Sequence, residues 1–142
     1  MSIRFYNQEC DYLPKQRMKL ASWIKESIEN EGFKAGEISY IFCSQTVHLE
    51  INKKYLGHDY QTDVITFDYT DYDKKRVSGD IFIDPQTVAE NAVTWNATEE
   101  EEMHRVIIHG ILHLCGYKDK TPKDAKLMRS KENQYLELFL AK

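Results

Sequence analysis

The stretch HRVIIHGILHLCGYKDK, residues 104–120, sets His109 and His113 four positions apart inside an apolar run, with Gly116 and Asp119 following. On an α-helix, residues i and i+4 lie about 40° apart around the axis and about 6 Å along it. Both imidazoles therefore project from one face, and two ring nitrogens there can reach one ion at about 2.0–2.1 Å. Val106, Ile107, Ile108, Ile111, Leu112 and Leu114 make the helix apolar nearly all round, the pattern of a buried helix. Upstream, Thr98 starts it and Glu99 to Glu102 crowd its first turn, where negative charge favours the helix dipole. The spacing predicts a buried helix over 98–115.

Gly116 closes it. A glycine just past a helix end takes the left-handed conformation that turns the chain back. Asp119 then falls in the last slot of HxxxHxxGxxD, the spacing of an extended zinc motif. His109, His113 and Asp119 are expected to hold one ion, with a position left for water, as catalytic rather than structural sites do. The competing reading is two core histidines satisfied by hydrogen bonds. His104 lies about 140° round the helix from His109, at the surface or behind the ligands, and Cys115 points away from His113. Metallopeptidases of the HExxH type need a glutamate after the first histidine as general base. Gly110 stands there, which disfavours a zincin-like peptidase and suits close approach of another backbone or a substrate.

Outward from this helix, short strands are expected over 3–7, 37–44, 64–69 and 79–84, the last two paired across a polar connector. A helix after Pro14 carries Met18, Ala21, Trp23, Ile24 and Ile28 near helical spacing and closes at Gly32. Another runs over 46–57, with Thr46 as N-cap and Gly57 as stop. A third starts at Pro85 with Val88, Ala92 and Trp95 on one side, and a last amphipathic helix covers 122–140. The order β α β α β β α α α predicts an α+β fold: a small mixed sheet of about four strands packed with about five helices, one domain over 1–142.

The 142 residues suffice for one sizeable core. Three cysteines without a CxxC pair argue for reduced thiols, and Cys43 reads as a core hydrophobe. No apolar run approaches the roughly 18 residues of a bilayer helix, and no secretory leader is legible, so a cytoplasmic protein is expected. A net charge of −4 removes any general attraction to nucleic acid, which would need a local basic patch.

HGILHLCGY, with the upstream LEINKKYLGHDYQTDVITF and GDIFIDPQTV, resembles the YbeY family of bacterial endoribonucleases across roughly residues 40–140. The resemblance implies a metal-dependent, single-strand-specific RNA endonuclease, cytoplasmic and usually written with zinc. It implies action in ribosomal RNA maturation (the 16S rRNA 3′ end) and ribosome quality control, with the 16S precursor and ribosomal particles as partners. The family's ligands are three histidines, of which two fall on His109 and His113. The third falls on Asp119, a harder, anionic donor that acidifies bound water less and opens the choice to manganese or nickel. Leu56 stands where the family usually carries an arginine thought to serve activity, and leucine cannot hold a phosphate. These two departures support an alternative, a ribosome-assembly factor with a structural metal and no cleavage.

The expected chemistry is metal-assisted phosphodiester hydrolysis. The general base is not assigned. Asp63 and Asp59 enter by motif position alone, with turn or helix-cap carboxylates as the other reading. Lys118 and Lys120 flank Asp119 and are the expected phosphate contacts. Lys123, Lys126, Arg129 and Lys131 read as a solvated helix face, Lys74, Lys75 and Arg76 as a smaller basic cluster. Tyr117 suits either base stacking or the core.

Overall fold

A computed structural model of the chain describes residues 2–57 and 62–142. The order is β1 (Ser2–Gln8), α1 (Arg17–Asn30), β2 (Lys34–Cys43), α2 (Gln45–Leu56), β3 (Val64–Asp68), β4 (Arg76–Ile83), α3 (Pro85–Thr94), α4 (Glu99–Leu114) and α5 (Pro122–Leu140). The four strands form one mixed sheet in the order β1-β2-β4-β3. β1 and β4 pair parallel with β2, and β3 pairs antiparallel with β4, Thr66 opposite Ile81. This is the expected α+β architecture, with the expected β3–β4 hairpin. β2 and β4 each begin three residues before the expected start: Lys34 and Ala35 pair with Arg76 and Val77 ahead of a bulge, and a polar strand start carries no alternation to mark it.

Caps set the helix starts. Ser44, not Thr46, caps α2 by accepting from the Val47 amide, two residues earlier than expected. Asp84 caps α3, Thr98 caps α4 and Thr121 caps α5 in the same way. Gly32, Gly57 and Gly116 all have positive φ at helix ends.

α4 is the central element of the core. Ile107, Ile108, Ile111 and Leu112 are fully buried with Ile38, Tyr40 and Ile81 of the sheet. The Tyr40 hydroxyl, buried in β2, donates to the Ile107 carbonyl at 2.8 Å, which fixes α4 two residues before His109. Gly110 lies against the sheet: a Cβ there would stand 3.0 Å from Cγ2 of Ile81. The small residue thus admits β4 rather than a substrate, and a glutamate at 110 would project into the core. Two positions of the expected apolar stripes are instead exposed: Met18 at 90% and Trp95 at 64%. Met18 sits in the first turn of α1, where Leu20, Trp23 and Ile24 take the core face. Trp95 lies past the last turn of α3, where the chain leaves helical spacing.

Candidate metal centre

His109 and His113 extend from the outer face of α4, and the turn at Gly116 (φ 104°) brings Asp119 back over them. Nε2 of His109 lies 3.3 Å, and Nε2 of His113 3.5 Å, from Oδ2 of Asp119. The three ligand atoms lie within 4.8 Å of one another. The rings meet edge to face, with centroids 4.6 Å apart. His109, His113 and Asp119 are thus brought together, and Cys115 lies outside the group.

The other ring nitrogens fix the tautomers. Nδ1 of His113 donates to the Tyr117 carbonyl at 3.0 Å. A carbonyl only accepts, so the proton is on Nδ1 and the lone pair of Nε2 faces Asp119. Nδ1 of His109 donates at 2.6 Å to Oε2 of Glu132, a buried carboxylate of α5. Oε1 of Glu132 accepts from Arg105 at 2.9 Å. Burial raises the Glu132 carboxyl, but the His109 and Arg105 contacts outweigh it and hold the pKa below the usual value. Burial lowers the His109 imidazole, but Glu132, Asp119 and Asp63 outweigh it and draw it up. Burial and the neighbouring His109 push His113 down.

Lone pairs of two imidazoles and a carboxylate oxygen repel unless a cation lies among them. Without a metal, a proton on His109 can serve. With one, the donor set is two nitrogens and one oxygen, each imidazole anchored behind by a carboxylate or a carbonyl, as metal-binding histidines are. The residues present fit a divalent ion with an open side.

Two hollows meet at His109 and Asp119. One, of about 360 Å³, runs past Asn52, Leu56 and Thr66 and also touches His113. The other, of about 210 Å³, is walled by Glu102, Arg105, Arg129 and Glu132. Asp63 and Val64 border both. Asp63 Oδ2 accepts from Asn91 Nδ2 at 3.4 Å. Asp59 lies outside the described residues. Lys118 and Lys120 are exposed on either side of Asp119 but line neither hollow. Leu56, 43% exposed, walls the larger hollow and gives it no charge.

Sequence reasoning missed Glu132 and Arg105. The signal for Glu132 was present: Met128, Glu132, Tyr135 and Phe139 form one buried stripe of α5, and a carboxylate in such a stripe needs a partner. Arg129, expected on a solvated face, borders the smaller hollow, and Lys131 pairs with Glu31 at 3.3 Å. Tyr117 is half-buried against the core, its hydroxyl donating to Glu31 at 2.6 Å, so it does not present a free stacking face. His104 packs beside Phe139, ring centroids 4.4 Å apart, away from the triad.

The family model described as endoribonuclease YbeY matches residues 4–139. A Parabacteroides distasonis protein named endoribonuclease YbeY is 47% identical, over 98% of this chain and 96% of its own. A Bacteroides thetaiotaomicron protein of the same name is 48% identical, over 96% and 98%. The solution structure of a Thermotoga maritima protein superposes with a TM-score of 0.69 at 32% identity, covering 99% of this chain and 90% of that one. Among the described residues, no helix is long and apolar enough to cross a membrane.

Proposed function

The chain belongs to the endoribonuclease YbeY family, a family of RNA-cleaving hydrolases, and from that premise we propose a cytoplasmic, metal-dependent, single-strand-specific endoribonuclease. Its proposed substrate is the 16S rRNA precursor near its 3′ end, within ribosomal particles, in maturation and quality control.

The observation that carries the metal dependence is the convergence of three lone-pair donors, with both histidine tautomers set from behind. Zinc suits the two nitrogen donors, and the oxygen of Asp119 also admits manganese or nickel. Held by His109, His113 and Asp119, the ion would supply Lewis acidity at a phosphodiester oxygen and a more acidic water. Asp63 borders both hollows beside the triad and accepts from Asn91, which supports it as the acceptor of a proton from the attacking oxygen. Lys118 and Lys120, exposed beside Asp119, offer phosphate contacts that Leu56 cannot. Gly110, turned into β4, leaves the site without the glutamate of a peptidase.

The test is cleavage of an unstructured RNA oligonucleotide by wild type and His113→Ala, each with and without a chelator. Activity is expected only in metal-loaded wild type. Cleavage at the wild-type rate by metal-free protein would contradict the proposal.

A further inference from the structure

The guanidinium of Arg129 borders the hollow that His109 and Asp119 line, and the exposed indole of Trp95 lies beside it. His109 Nδ1 lies 2.6 Å from Oε2 of Glu132, and the other oxygen, Oε1, lies 3.8 Å from Nη1 of Arg129. Cζ of Arg129 stands 5.7 Å from the centroid of the Trp95 ring. Resting on the reading of the triad as an RNA-cleaving centre, we propose that Arg129 and Trp95 form a nucleotide subsite. Arg129 binds a backbone phosphate beside the scissile one, and Trp95 stacks the adjoining base.

Three observations carry this. The indole is 64% exposed, an unusual placement for so large an apolar ring. The backbone that carries it is closed by hydrogen bonds. Ala97 N–H donates to the Ala92 carbonyl and Asn96 N–H to that of Val93. This is a Schellman closure, with Asn96 in the left-handed position at φ 54°. Second, Arg129 is the better disposed of the two arginines of the hollow. Arg105 is engaged at 2.9 Å by both Glu132 and Asn133. Arg129, half exposed, meets Glu132 only at 3.8 Å, beyond hydrogen-bond length, and a guanidinium carries five N–H donors. Third, the chain as a whole is acidic, so a local cation decides where RNA lies, and Arg129 is a half-exposed cation bordering the hollow that reaches His109 and Asp119. An aromatic face beside a phosphate-binding cation is the chemistry of single-strand recognition, tolerant of base identity.

The subsite is tested with an unstructured octaribonucleotide, titrated against chelator-treated full-length protein, which is expected not to cleave it, and followed by tryptophan fluorescence. Trp23 is fully buried, so quenching reports Trp95. Wild type is expected to quench. Trp95→Ala is expected to lose the quench and about tenfold in affinity, and Trp95→Phe to keep most of the affinity. Arg129→Ala is expected to reduce the salt slope of binding by about one and to raise KM more than it lowers kcat, with Arg129→Lys restoring the slope. Equal affinity, slope and KM in wild type, Trp95→Ala and Arg129→Ala would overturn the subsite while leaving the nuclease reading intact. A wild-type protein that neither binds nor cleaves RNA would overturn both.

Discussion

Glu132 stands 2.6 Å behind His109, on a different helix and 23 positions later in the chain. The contact orients the ring, places its proton on Nδ1 and raises the basicity of Nε2. Glu132→Gln keeps the shape but removes the charge. It is expected to weaken metal affinity about 10- to 100-fold, as loss of such partners does. Competition with a fluorescent chelator measures it, and an unchanged affinity would show that Glu132 serves only the ion pair with Arg105.

The helix that bears the histidines rests on β4 through Gly110. Gly110→Ala forces a methyl to within 3.0 Å of the buried Ile81 and is expected to cost about 1–3 kcal/mol. Gly79→Ala is expected to cost more, because its Cβ would stand 2.5 Å from the Phe67 carbonyl, which is backbone and cannot turn aside. Urea denaturation of the two variants gives the ranking.

Acid should weaken the fold through Glu31, whose carboxylate accepts from Tyr117, Tyr135 and Lys131. Burial raises this carboxyl, but the two tyrosines and the lysine outweigh it and the folded-state pKa is lowered. A depressed carboxyl contributes stability above its unfolded pKa of about 4.3, and loses it as pH falls through the lower folded value. Glu31→Gln should therefore be less stable than wild type at pH 7, with the gap closing below about pH 4. Thermal melts across that range check the sign.

His48 acts in a higher window. Burial in α2 lowers its pKa, only partly offset by its bond to the Phe82 carbonyl and by Asp84 and Asp63. The unfolded chain then takes up a proton near pH 6.5 that the folded chain resists, so stability falls as pH drops below about 6.5 and is unaffected above it. His48→Gln should flatten the stability profile between about pH 7 and 5. A profile as steep as wild type would assign the slope elsewhere.

The helix 98–115, the Gly116 reversal and the triad were legible because each rests on local spacing: i, i+4 for the rings and a left-handed glycine for the return of Asp119. The α+β class followed from the order of periodic segments. Glu132 was not read, because its meaning depends on α5 packing across α4, a tertiary fact, although its place in an apolar stripe was a local signal. Trp95 was misplaced for the opposite reason. Helical spacing sets Trp95 beside Val88 and Ala92, but α3 ends at Thr94 and the indole is exposed. Gly110 marks a close approach in the sequence, where a backbone or a substrate is expected, but the packed sheet puts the side chain of Ile81 there.

The most direct measurement is zinc titration of metal-stripped wild type, His113→Ala and Asp119→Ala, with X-ray absorption to identify the donors. One ion per wild-type chain, bound by two imidazole nitrogens and at least one oxygen, with affinity lost in His113→Ala and reduced in Asp119→Ala, is the expected result. Equal stoichiometry and affinity in all three proteins would contradict the account.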